Sequence, residues 1–192
     1  MNPLLQNTIN VLPDILAQNA PSMMRRMLAA MQQGMAQDSQ LPNAAYSTLL
    51  LKVSEPDLVR EFAVAIKHAV EAAKLEASNR GQFASSLSMS LEPLEDTTSS
   101  TNADFLSATA SFNSLTTHAK KLGVTGLSLY KKELFLAALK DTFVRARIDG
   151  QEVNKLMPYA NRALCAELVN VYGKLNAVQR DAAVVTREAS SC

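Results

Sequence analysis

Leu164, Leu168, Val171, Leu175 and Val178 recur at 4-3-4-3 spacing, and Phe105, Ala108, Phe112, Leu115, Ala119 and Leu122 recur at 3-4-3-4-3. At 3.6 residues per turn such stripes stay on one side of an α-helix, whereas along a strand they would scatter over both faces. A stripe this narrow buries itself only against another helix. Residues 130–148 form a third segment of the same kind, with Phe135, Leu139, Phe143 and Ala146 inward and Asp141 and Arg145 paired at i,i+4. Asp149-Gly150-Gln151-Glu152 then combines a helix stop with a capping box for the next helix. Three such stripes predict a C-terminal bundle of antiparallel helices over 103–192.

The rest of the chain extends that reading. Aromatic residues make up 5%, Trp is absent and there are only six glycines among 192 residues, which disfavours β architectures. Prolines near their first turns predict helices over 3–17 and 21–36, with Pro13 kinking or breaking the first. A helix over 43–53 ends before Ser54-Glu55-Pro56-Asp57, which reads as an N-cap and first turn. The helix that starts there carries Leu58, Val59, Phe62, Ile66, Ala69, Val70 and Ala73 on one face, opposite Arg60, Glu61, Lys67, His68, Glu71 and Lys74. Between 78 and 102 the sequence turns Ser-, Thr- and acid-rich, a composition that competes with helical hydrogen bonding. Within it Leu87, Met89, Leu91 and Leu94 alternate and can cover a core edge. The expected fold is an all-α helical bundle of about six to seven helices in two lobes: an N-terminal helical region (1–77), a linker or long loop (78–102) and the C-terminal bundle (103–192).

Charge and cysteine usage narrow the function classes. The formal net charge is +1, without the basic surplus that drives nucleic-acid binding. Residues 1–102 hold 7 Lys/Arg against 10 Asp/Glu and 103–192 hold 12 against 8, a dipole able to dock the halves or steer a partner. The first residues lack a basic n-region, and no window reaches the 18 or so apolar residues of a membrane span. Cys165 lies in a helical pattern and Cys192 is far from it, as expected of a reducing cytoplasm rather than a disulfide framework. A bacterial, cytoplasmic protein is the expectation.

The residues that could carry function are few. Met23, Met27, Met31 and Met35 fall at successive i,i+4 positions beside Met24 and Leu28. They form either a gap-filling core face, an adaptable binding groove or, in a metal-handling context, soft-metal ligands. Phe112, Leu115, Leu164, Leu168, Val171 and Leu175 are the seam positions that would pack within the chain or against another copy. Lys120, Lys121, Lys131 and Lys132 make a basic patch with Tyr130 alone interleaved, suited to a solvated face or to an acidic partner. His68 and His118 have no cysteine or second histidine at metal spacing. Arg147 and Arg145 occupy ligand positions of the calcium loop that Asp149-Gly150 superficially suggests, and they exclude it. Neither a phosphate-cradling glycine loop nor a nucleophile motif is present. No catalytic residue and no cofactor are expected.

The run Glu133-Leu134-Phe135-Leu136-Ala137-Ala138-Leu139-Lys140-Asp141-Thr142-Phe143 resembles a helical stretch in a family of long uncharacterised proteobacterial proteins, a domain of unknown function sometimes labelled thymidine phosphorylase. Arg162-Ala163-Leu164 and the segment from Glu167 to Asn176 share that likeness. The family's helix-closing pattern L-x-x-L-Y-x-x-L-N is matched by Leu168, Val171, Tyr172, Leu175 and Asn176, with Val171 in place of a leucine. The family's proteins are several times longer, and their portion resembling a cyclic-dinucleotide-binding β-domain has no counterpart in these residues. The resemblance therefore implies a bacterial, all-α, non-enzymatic module and no catalytic residues. Two readings follow: a protein-protein interaction or scaffold module, by partner binding or self-association through the helical seams, or a helical regulator that holds an apolar small molecule or acyl chain.

Overall fold

The computed structural model describes residues 3–80, 99–121 and 130–189, and side chains for 16–75, 103, 105–121 and 130–177. The described residues form five helices and no strand: α1 (Pro3–Gln37), α2 (Ala44–Arg80), α3 (Ser99–Lys121), α4 (Lys132–Arg145) and α5 (Gly150–Ala189). The all-α expectation holds. The six to seven helices in two lobes do not appear among these residues, because two expected breaks are continuous helix.

α1 runs through Pro13 and Pro21, and α2 runs through Pro56 with Ser54 well inside it. An interior proline costs about 3 kcal/mol relative to alanine. That cost is offset where both flanks are anchored. Leu51 precedes Pro56 and Leu58, Val59 and Phe62 follow it, all buried in one cluster, so a break at Ser54 would uncouple packed turns on either side. Ala20 before Pro21 and Met23 and Met24 after it do the same. α5 likewise passes through Pro158, an exposed position, and continues to Ala189.

The turn between α4 and α5 also differs from expectation. Ile148 N–H donates to Phe143 O at 3.1 Å and Arg147 N–H to Val144 O at 3.0 Å, with Arg147 at φ 58°. This is a Schellman closure, and its apolar clasp is Ile148 with Phe143, both buried. The stop is therefore Arg147 rather than Gly150. Asp149 is the N-cap of α5, accepting from Gln151 N–H at 2.8 Å, and Gly150 is the first helical residue. Glu152 does not reach back to complete a capping box; it bonds Ser47 and Lys155 instead.

α1 packs chiefly on α2, α3 on α5, and α4 on α2 and α5, while α5 also lies along α1. One buried cluster draws on all five helices. Helices of the expected N-terminal region thus share their core with those of the C-terminal bundle. Of the 78–102 linker, the ends are helical within α2 and α3; its centre, with Leu87, Met89, Leu91 and Leu94, lies outside the described residues, as do Leu122 and Gly123.

Candidate functional site

The methionine face of α1 points inward. Met23, Met27, Met31 and Met35 are all buried, with Met24 and Leu28 beside them. They fill the core and do not form an open groove. The seam residues behave alike: Leu115, Leu164 and Leu168 are buried, and Phe112, Val171 and Leu175 pack half-buried against the same cluster. Phe112 stacks tilted on Tyr172 with ring centroids 5.2 Å apart, which joins α3 to α5. The seam is used within the chain.

Of the basic patch, Lys120, Lys121 and Lys131 are exposed and Lys132 is half-buried. The Lys132 ammonium lies 4.1 Å from the Phe105 ring centroid, a cation-π contact that fastens the start of α4 to α3. His68 is exposed, and His118 Nδ1 lies 2.9 Å from Ser114 O on its own helix. Cys165 is buried. Among the described residues no three His, Cys, Asp or Glu converge on a metal position, and no helix is long and apolar enough to cross a membrane.

Three polar clamps fix α5 against α1 and α2. Arg26 grips Glu167 with two bonds of 2.9 and 2.7 Å, and Glu167 is buried. Tyr159 donates to Asp38 Oδ2 at 2.5 Å, just beyond the end of α1. Ser47 donates to Glu152 Oε2 at 3.1 Å, while Lys155 Nζ holds Oε1 at 2.5 Å. Glu152, Tyr159 and Glu167 are spaced by seven and eight residues, which puts them on one side of α5. The Tyr159 hydroxyl, and the Gln40 N–H after it, hold the Asp38 carboxyl below its ordinary range. Burial, then the bond to Asp38, pushes Tyr159 up to about 12. Each carboxylate is engaged by donors from its own fold, so the clamps read as register pins. The sequence offered no way to pair Arg26 with Glu167, since only the fold brings positions so far apart together.

The outer side of α2 is different. In its first turns the core-facing positions are Ser47 and Leu51, while Tyr46, Leu49 and Val53 are 56%, 59% and 72% exposed. Local amphipathicity is inverted: a serine goes in and three large apolar side chains stay out. Val64 and Leu75 continue the exposed apolar positions, so that α2 carries five of the seven exposed large hydrophobics among the described residues. Beside this face, Arg25, Lys52, Glu55, Pro56 and Val59 line a cleft of about 350 Å³. Arg25 and Glu55 approach across it to 3.9 Å. The signal for this face was present in residues 44–53, where Ala44, Ala45, Tyr46, Leu49, Leu50, Leu51 and Val53 are more apolar groups than one side of a helix can bury.

No protein family, curated protein or solved structure matches this chain.

Proposed function

We propose that this chain is a non-enzymatic, bacterial, cytoplasmic helical module for protein-protein interaction, and that the outer face of α2 is its contact surface. The observation that supports the reading is the exposed row Tyr46, Leu49 and Val53 on a helix whose inner face is already committed to the core. An apolar row of this kind on a well-packed helix costs solubility, and a partner helix or groove relieves that cost. A regulator holding an apolar ligand draws no support from the methionine face, which α1 closes into the core.

The test compares wild-type full-length chain with Leu49→Asp as baits for proteins of the source organism, with circular dichroism as the control for folding. Leu49 is exposed, so the variant is expected to melt within about 0.5 kcal/mol of wild type. Its bound protein, whether a further copy of this chain or another polypeptide, is expected to be lost. Equal recovery by both baits overturns the assignment to α2.

A further inference from the structure

We infer that the outer face of α2 pairs antiparallel with the same face of a second copy of this chain, centred on Asp57 and Arg60. The inference rests on the interaction reading above and names the partner. At 100° per residue, Tyr46, Leu49, Val53, Val64 and Leu75 fall in a stripe roughly 80° wide, and Asp57, Arg60, Lys67 and Glu71 fall in the same stripe. All of them are exposed. A stripe so narrow, with charges inside it, suits a helix partner; a membrane surface calls for a broad apolar face flanked by basic residues.

The order of charges decides which helix. When Val53 of one copy is set opposite the partner's Val64 in antiparallel register, Asp57 faces the partner's Arg60 and Arg60 faces the partner's Asp57. The same register places Tyr46, whose hydroxyl can donate, opposite the partner's Glu71. One two-fold axis satisfies every one of these pairs, as an isologous interface requires. A parallel arrangement would instead set Asp57 against the partner's Asp57 and Arg60 against the partner's Arg60, so like charges exclude it.

In the single chain Arg60 holds Asp57 at 2.8 Å and Glu61 at 3.0 Å. The Arg60 and Asp57 side chains are 67% and 55% exposed, so their mutual pair is solvated and weak. A guanidinium has five donors, enough to keep Glu61 and take the partner's Asp57 together. In this register α2 faces its copy from Tyr46 to Glu71, about 25 residues or about 38 Å, which at helix width gives a footprint of about 380 Å² per copy, with Leu75 beyond the overlap. A standard stable interface covers about 800 Å² per partner. The dimer is accordingly a reversible, concentration-dependent one.

Sedimentation velocity of the purified full-length chain across a dilution series tests the pairing. Wild type is expected to pass from monomer to dimer, and Val53→Glu to remain monomeric with an unchanged melting curve. Asp57→Arg and Arg60→Asp, each alone, are expected to weaken the dimer about tenfold or more, and the double exchange to restore it. In a Cys192→Ser background, Val53→Cys combined with Val64→Cys is expected to give a covalent dimer on mild oxidation. Val53→Cys alone is expected to give none, because the two copies of that position lie about 16 Å apart in this register. A chain monomeric at every concentration, a dimer indifferent to Val53→Glu, a double exchange that fails to restore association, or a covalent dimer through the single cysteine at 53 each overturns the proposal. If the chain is monomeric yet captures a different protein in a Leu49-dependent manner, self-pairing falls and the interaction reading stands; if nothing is captured, both fall.

Discussion

At the scale of single residues, the positions that matter most are those where the fold asks a residue for something its chemistry does not favour. Arg147 closes α4 at φ 58°, a conformation that costs an ordinary L-residue about 1 kcal/mol or more. Its N–H and that of Ile148 nonetheless complete the turn. Arg147→Gly is expected to stabilise the protein by about 1 kcal/mol and to raise the thermal midpoint by about 2–4 °C; a lower midpoint in a thermal scan would show that the arginine side chain makes a contribution of its own. The sequence pointed to Gly150 here because glycine is the usual left-handed residue. Nothing in Ala146-Arg147-Ile148 by itself marks the turn, since the clasp between Ile148 and Phe143 exists only once the chain reverses.

Glu167 makes the opposite case, a carboxylate buried by α1 and kept there by Arg26. Arg26→Ala leaves that charge without its two strongest donors. Because Arg26 itself is more than half exposed, the loss is expected at about 1–2 kcal/mol rather than the larger figure of a fully buried pair. Urea denaturation measures it, and Arg26→Lys should recover only part, since an ammonium cannot repeat the two parallel bonds.

At the scale of elements, periodicity was a sound guide to faces and a poor one to ends. The inward positions of α4 and the seam of α3 on α5 were legible because a stripe of fixed spacing has one geometric meaning. Proline positions were misleading because their cost is local while the packing that outweighs it is tertiary. Leu51 and Leu58 sit on opposite sides of Pro56 and are both buried in the same cluster. Pro56→Ala is therefore expected to raise stability by about 1–3 kcal/mol, read as a shifted urea midpoint with an unchanged slope. A loss of stability would mean that Pro56 holds the shape of the cleft that it lines with Arg25 and Lys52. On α2 the expected helical face was right for 58–73: Leu58, Val59, Phe62, Ile66 and Val70 are buried and Arg60, Lys67, His68, Glu71 and Lys74 are exposed, with Glu61 alone of the expected outer residues half-buried. For 44–53 the inverted pattern became visible only when the fold chose Ser47 as the buried position, through its bond to Glu152.

At the scale of the whole molecule, one core joins residues from Leu16 to Tyr172, and three tyrosines help to close it. Burial raises Tyr130 to about 12 and raises Tyr172 further, where the hydroxyl also donates to Tyr130 O at 2.8 Å; Tyr159 is raised to about 12. A group whose folded-state value lies above its unfolded value of about 10 contributes stability that is complete below that value and is lost as pH rises through the folded one. Stability is thus expected to hold up to about pH 10 and to fall between about pH 10 and 12, with tyrosinate absorbance appearing together with loss of helix. Tyrosinate absorbance from all four tyrosines before any loss of helix would contradict the burial of these three. At the acid end Asp38 works in the other direction: its lowered carboxyl contributes above the ordinary carboxylate range and stops contributing as pH falls through its folded value.

On the proposed interaction reading, α2 divides its labour, with its inner face folding the chain and its outer face meeting a partner. A photo-cross-linking residue placed singly along α2 in the full-length chain tests it directly. Adduct yield is predicted to rise at positions 46, 49, 53 and 64 and to fall at 45 and 52, following the helical period. Yields that are equal around the helix, or highest away from the stripe, would contradict the account.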